Sequence, residues 1–170
     1  MVMATAAEWG GNGGAYGYAR KGWSAQQILR HFYGGTTAGG KVDRPEINVT
    51  LTGQNSVNVH ADAGMRVGGQ TVAPGQAVSL SGGGTATIRS GCGGDTIRSV
   101  PASFVEPLSM LPNRPAAEFL KFCGSEKAYR GGALGLEGGR VVNRIHIDDY
   151  VKGVIPRESL PAWADSGGAA

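Results

Sequence analysis

The sequence predicts an α+β fold, mainly antiparallel β with a few short helices. Its 170 residues include 30 glycines, more than twice the usual share, and these are scattered between short apolar runs. From residue 47 to residue 100 apolar and polar residues alternate, and Gly or Ser bounds each run, which is typical of small sheets, barrels and sandwiches. Two other stretches, 24–33 and 148–154, have helical spacing.

The first helix is predicted to begin after Ser24. Ser24 and Gln27 have the spacing of a capping box, in which each side chain binds the backbone N–H of the other residue. Gly34 and Gly35 are expected to end this helix. Its apolar face is formed by Ala25, Ile28, Leu29 and Phe32.

Seven strands are predicted between residues 47 and 100. Gly68 and Gly69 separate two of them and indicate a two-residue hairpin. The predicted strands cover residues 47–51, 57–61, 65–67, 70–72, 77–80, 85–89 and 96–100. No residues in this region form a recognisable catalytic set, so we interpret it as a structural or binding insert.

The next part of the chain is predicted to be a linker and a short helix. The linker is Pro112–Pro115, and Pro115 suits the first position of a helix over residues 116–122. A strand over residues 129–136 then follows, and a turn at 137–139 leads to its partner.

The last predicted elements are a strand and a helix. Residues 140–147 are rich in β-branched side chains and predict a strand. Asp148 is expected to cap a helix over residues 148–154, with Asp149 in its first turn. Pro156 is expected to end that helix, because proline lacks the N–H that helix interiors use.

Charge and cysteine content narrow the function classes. The net charge of +3 is mild and no Lys/Arg cluster is present, so nucleic acid is not an expected partner. No apolar run is long enough to span a membrane, and residues 1–7 do not read as a signal peptide. Cys92 and Cys123 either form a disulfide or are two unrelated small apolar residues. Without a C-x-x-C pair we expect no cofactor or metal, although His146 with one cysteine is a weaker alternative.

Residues 138–166 are the stretch that most resembles a reaction site. Glu158 follows the predicted strand and helix, beside Arg157 and close in sequence to Trp163. A general acid needs a rigid mount and partial desolvation, and this placement would supply both. The alternative is a solvated surface carboxylate paired with Arg157.

The run from Val142 to Ser159, reading VNRIHIDDYVKGVIPRES, resembles the signature of the SpoIID/LytB family of bacterial cell-wall proteins. The family pattern has an Asn-containing strand, an acidic-Tyr step, a Gly-Val-Val/Ile-Pro step and a Glu two residues after the Pro. Residues 14–19, 27–36 and 129–131 are similar to further family segments. Ser159 stands where the family often has Met, and the family's His-bearing glycine loop is absent at residues 8–13.

The resemblance implies lytic transglycosylase cleavage of peptidoglycan glycan strands, with Glu158 as the catalytic residue. The candidate substrate-binding residues are Arg157, Tyr150, Trp163 and Asn143. The LytB name implies a second hypothesis, a non-catalytic amidase enhancer or peptidoglycan-binding modulator. The partners would be glycan strands and a cell-wall amidase, at an extracellular or wall-associated site.

These observations divide the chain into three predicted segments. Residues 1–40 are a glycine-rich segment with a helix, 41–105 a small β domain or insert, and 106–170 the N-terminal portion of a SpoIID-like catalytic domain. In the family an Ala-rich helix follows where this chain ends at Ala170. We therefore expect a truncated domain, with hydrogen exchange faster across residues 129–165 than across 47–100.

Overall fold

The computed structural model describes residues 12–35, 39–40, 46–111, 113–125 and 127–158, without the side chains of residues 12, 13, 156 and 158. The predicted glycine-rich start of the chain thus lies largely outside the described residues. Two compact units are present. One comprises Met1–Asp43 with Val151–Ala170, and the other comprises Arg44–Tyr150.

The first unit contains two short helices, α1 (Asn12–Arg20) and α2 (Ala25–Phe32). The predicted capping box of α2 is confirmed: the Ser24 hydroxyl accepts a hydrogen bond from the Gln27 N–H, and the Gln27 side chain accepts one from the Ser24 N–H. The ring of Tyr18 contacts Trp23, with 4.4 Å between ring centroids, and thereby joins α1 to the start of α2.

The second unit is built from strands, and the predicted fold class of mainly antiparallel β with a few short helices is confirmed. All the strand pairs of its two six-stranded sheets are antiparallel. The strands are β1 (Glu46–Thr50), β2 (Val57–His60), β3 (Met65–Val67), β4 (Gln70–Val72), β5 (Ala77–Ser81), β6 (Thr85–Arg89), β7 (Thr96–Pro101), β8 (Phe104–Pro107), β9 (Leu120–Phe122), β10 (Ala128–Tyr129), β11 (Ala133–Glu137) and β12 (Arg140–His146).

One apolar core joins the two sheets. The first sheet has the order β1-β12-β11-β8-β3-β4 and the second β10-β9-β2-β5-β6-β7. Both contribute buried side chains to a single cluster, including Val59, Ile88, Val105, Leu134 and Val141. This arrangement explains the alternation in the sequence, because every second residue of strands such as β2, β3 and β6 is buried in the core.

Two hairpins use the glycine pairs that the sequence singled out. Gly68 and Gly69 join β3 to β4, and Gly138 and Gly139 join β11 to β12. All four have positive φ, from 55° to 76°, as a two-residue turn that follows the strand twist requires.

The predicted helix over residues 116–122 is wrong. The structure has a single 3₁₀ turn at Ala116–Glu118, followed by strand β9. Leu120 and Phe122 are both buried while Lys121 between them is only partly so, which is the period of a strand. Pairing with β2 and β10 outweighs the local helix signal, since it buries both apolar side chains.

The predicted strand over residues 129–136 is divided in the structure. Its start belongs to β10 in the second sheet, and the rest is β11 in the first sheet. The chain changes sheets at Gly132, where φ is +71°. The segment boundary suggested near residue 105 does not divide the sheets either, because β8, β11 and β12 pair in the sheet that also holds β1, β3 and β4.

The pairing of Cys92 with Cys123 as a disulfide, one of the two predicted alternatives, is present in the structure. Their Cα atoms lie 5.5 Å apart, and the two cysteines are 31 positions apart in sequence. Cys92 lies between β6 and β7, and Cys123 directly follows β9. The bond therefore ties the end of β9 to the connection between β6 and β7, although β2 and β5 separate β9 from β6 within the second sheet.

Candidate functional site

From Val142 to Glu158, the run that resembles the SpoIID/LytB signature lies in one strand and the helix that directly follows it. Strand β12 ends at His146, and helix α3 (Ile147–Glu158) begins at the next residue. The prediction that Pro156 ends the helix is wrong, since α3 runs two residues further. Proline removes one hydrogen bond to the carbonyl four residues before it, but its fixed φ near −65° suits a helix. Glu158 is thus the last residue of α3 rather than part of a loop.

The side chain of Asn143 is hydrogen-bonded to the protein backbone. Its side chain is 7% exposed, and its Nδ2 donates to the carbonyl oxygens of Gly131 and Ala133, each over 3.0 Å. These two carbonyls flank Gly132, where the chain changes sheets. Both amide N–H groups are used by the backbone, which argues for a supporting role instead of the substrate-binding role suggested by the resemblance.

The close approach at Gly132 leaves no room for a side chain. A Cβ atom there would overlap the carbonyl oxygen of Arg144 and lie 2.9 Å from Nδ2 of Asn143. Glycine also adopts the positive φ of this position at no steric cost. Gly132 and the two Asn143 hydrogen bonds together fix the backbone at the start of β11. This strand pairs with β12, which leads into α3.

The variant Gly132→Ala is expected to lower the free energy of unfolding by about 2–3 kcal/mol, because it adds backbone strain to a clash with main chain that cannot move aside. Chemical denaturation measures the loss. Gly139→Ala is a matched control with nearly the same φ, +75°, and open space around the Cβ position, so it should show the strain alone. Equal losses in the two variants would contradict a steric role for Gly132.

Arg144 on β12 lies between two carboxylates, Glu46 on the neighbouring strand β1 and Glu106 on β8, which lies beyond β11. Its Nη2 donates to Glu106 Oε1 over 3.1 Å, and its Nε lies 3.7 Å from Glu46 Oε2. Its guanidinium also lies 4.0 Å from the centre of the Phe104 ring. That ring occupies the space where a Cβ atom of Gly135 would stand. Through these contacts the Arg144 side chain links β12 to β1 on one side and, over β11, to β8 on the other.

Helix α3 begins with a histidine cap. The backbone N–H of Asp148 donates to Nδ1 of His146 over 3.2 Å, so His146 supplies the acceptor that the sequence assigned to Asp148. Asp148 and Asp149 lie in the first turn, where negative side chains stabilise the positive end of the helix dipole.

The predicted site residues lie along α3 and beyond it. Tyr150 is in the first half of the helix and is 38% exposed, which suits a side chain that contacts a ligand. Arg157 is exposed in the last turn, next to Glu158. The side chain of Glu158 and all of Trp163 lie outside the described residues. The structure therefore brings Tyr150, Arg157 and Glu158 onto one helix and separates Asn143 from them.

Sequence reasoning overlooked Arg114. It lies in the predicted linker, yet it is 7% exposed and its Nη1 donates to the carbonyl oxygen of Ser109 over 2.7 Å. Burial lowers its pKa, while the nearby charges of Asp149 and Glu118 act in the opposite direction. A lone arginine between two prolines carries no signal of burial, so only the folded chain reveals it.

The structure removes the metal alternative that relied on a cysteine. Both thiols are joined in the disulfide, so neither can serve as a thiolate ligand beside His146. Within the described ranges, no group of three or more His, Cys, Asp or Glu side chains could hold a metal ion.

None of the helices in the part of the chain that the structure describes has the length and apolar character needed to cross a membrane. In comparisons with known proteins, no family model, no curated protein and no solved structure matches this chain.

Proposed function

We propose that the chain acts on peptidoglycan as a lytic transglycosylase, with Glu158 as its single acid and base. The observation that carries the proposal is the run from Val142 to Ser159, which resembles the SpoIID/LytB signature in order and spacing. Its residues up to Glu158 form the end of one strand and the helix that directly follows it, so the proposed acid is at the end of a regular element.

The position of Glu158 supports an acid role. The carboxyl end of a helix carries the negative pole of the helix dipole, which favours the protonated form of a carboxyl group placed there. A general acid must hold its proton until the substrate is bound. Arg157 would act against this if it faced Glu158; we place it instead toward an anionic group of the glycan, as a charged partner.

The reaction needs one carboxyl group. Protonated Glu158 donates its proton to the oxygen that links N-acetylmuramic acid to N-acetylglucosamine, and the bond from that oxygen to the muramic C1 breaks. The carboxylate then accepts the proton of the muramic C6 hydroxyl as its oxygen bonds to C1. An anhydro ring forms, and no water is consumed, so no second carboxylate is required, unlike in most glycoside hydrolases.

The disulfide supports an extracellular or wall-associated location, since such bonds persist mainly in oxidising compartments. Glycan strands are the proposed partners; Tyr150, whose ring is exposed, and Trp163 are each proposed as a candidate sugar platform.

Mass spectrometry of digested, peptide-free glycan strands tests the proposal. The expected products carry anhydro-muramic ends. Reducing ends would indicate a hydrolase. Retention on the strands without cleavage would contradict the enzymatic proposal and support the alternative, a non-catalytic amidase enhancer or peptidoglycan-binding modulator.

A further inference from the structure

The guanidinium of Arg114 is a buried cation, and three of its five N–H donors, those on Nε and Nη2, are unused. Nη1 binds the Ser109 carbonyl oxygen, whereas Nε and Nη2 are buried and have no hydrogen-bond partner. Buried N–H groups in folded proteins are nearly always hydrogen-bonded, and those of a charged group cost the most when they are not. Two adjacent exceptions on one side chain require an explanation.

The two unused nitrogen atoms lie on the same edge of the planar group. An arginine presents Nε and Nη2 side by side, so their N–H bonds point in one direction. This edge matches the two oxygens of a carboxylate, which it binds through two parallel hydrogen bonds. Because Ser109 holds Nη1, the orientation of the free edge is fixed by the protein.

The surroundings disfavour a doubly charged anion more than a singly charged one. Glu118 is used locally, since its Oε2 accepts a hydrogen bond from the Ser109 N–H over 2.9 Å. Asp149 acts on Arg114 by its charge. Burial still has the larger effect on the pKa of Arg114, which is lowered, so these carboxylates do not compensate for the loss of solvent. They would nevertheless repel a doubly charged phosphate more strongly than a carboxylate.

The segment that holds the guanidinium is at the surface. Ser109 is anchored from both sides, by Arg114 through its carbonyl and by Glu118 through its N–H. The residues after it, Met110 and Leu111, are exposed, Leu111 to 68%.

We propose that the Nε–Nη2 edge of Arg114 is a binding site for a carboxylate. The occupant that the proposed function supplies is the lactyl carboxylate of N-acetylmuramic acid, and this choice of occupant rests on that function. The site would distinguish muramic acid from N-acetylglucosamine, which lacks the lactyl group.

Calorimetric titration of the full chain with each of these two sugars tests the site. We expect binding of N-acetylmuramic acid and at least tenfold weaker binding of N-acetylglucosamine, because one charge-assisted bidentate contact is lost. Acetate and inorganic phosphate are titrated as two further ligands. Acetate that binds as tightly as muramic acid, in an Arg114-dependent manner, would assign the site to free carboxylates. Phosphate that binds more tightly than both would overturn the carboxylate assignment.

Two substitutions at Arg114 and one control show where the sugar binds. Arg114→Met removes the charge, and Arg114→Lys keeps the charge but loses the flat edge; both should weaken binding of muramic acid about tenfold or more. Arg98→Met removes an exposed arginine on β7 and should change nothing. Equal affinity in wild type and both Arg114 variants would overturn the proposal. If Arg114→Met does not fold, Arg114→Lys and the sugar comparison in wild type still decide.

This test is separable from that of the proposed function. Glycan cleavage with anhydro ends but no Arg114-dependent binding would remove only the carboxylate site. Arg114-dependent binding without cleavage would support the carboxylate site and contradict the enzymatic proposal; the chain would then be a protein that binds glycan without cleaving it.

Discussion

Replacing Glu158 by glutamine is expected to lower the turnover of peptide-free glycan strands by a factor on the order of 10² or more. Glutamine keeps the shape of the side chain but cannot donate a carboxyl proton or accept the proton of the C6 hydroxyl. Both steps of the proposed reaction are therefore lost together. Binding to the strands should change little, because the acid contributes mainly to the transition state.

The measurement is the yield of anhydro-muramic ends per unit time, with strand binding recorded in parallel. Glu46→Gln is a matched control on edge strand β1, where the carboxylate is half-exposed and lies 3.7 Å from Arg144 Nε. It should leave turnover unchanged. Undiminished anhydro product in Glu158→Gln would remove Glu158 from the mechanism, and unchanged stimulation of an amidase by the same variant would support the modulator hypothesis.

Removal of the disulfide between Cys92 and Cys123 is expected to lower the free energy of unfolding by about 3–4 kcal/mol. The bond closes a loop across 31 residues, and in the chain-entropy model the gain comes from restricting the unfolded chain. A loss of this size is a large fraction of the total stability of a typical domain. The folded state also loses the tie between β9 and the connection of β6 to β7.

Urea denaturation of the double variant Cys92→Ala/Cys123→Ala, compared with the oxidised wild type, measures the loss. Wild type in a reducing agent is a second route to the same state and should show a similar midpoint. Thiol counting on the folded, oxidised protein provides the control. Two alkylatable thiols would show that the bond is absent, and an unchanged midpoint after its reduction would contradict a stabilising role.

Local patterns in the sequence were sufficient for most individual elements. The capping box of Ser24 and Gln27, the hairpins at Gly68–Gly69 and Gly138–Gly139, and the strand periods from residue 47 to 100 depend on neighbours within a few positions. Such patterns reflect backbone geometry that the residue types themselves impose, since glycine pairs allow positive φ and alternation places apolar side chains on one face.

Contacts between distant residues decided the rest. Residues 116–122 carry a helix signal, yet β9 forms because β2 and β10 offer it hydrogen bonds and the core accepts Leu120 and Phe122. The family-like run predicted a strand and a helix in the right order, but not that α3 continues past Pro156. A proline weakens a helix without forbidding it, so its effect depends on what surrounds it.

The sequence by itself determined the fold class, the strand-to-helix order near Glu158 and the two cysteines that could pair. Only the tertiary structure decided that those cysteines are joined, that Asn143 holds the carbonyls beside Gly132, and that Arg114 is buried with a free edge. Burial, disulfide geometry and hydrogen-bond partners depend on which segments meet in space, and residues 31, 12 or 35 positions apart carry no local sign of their meeting.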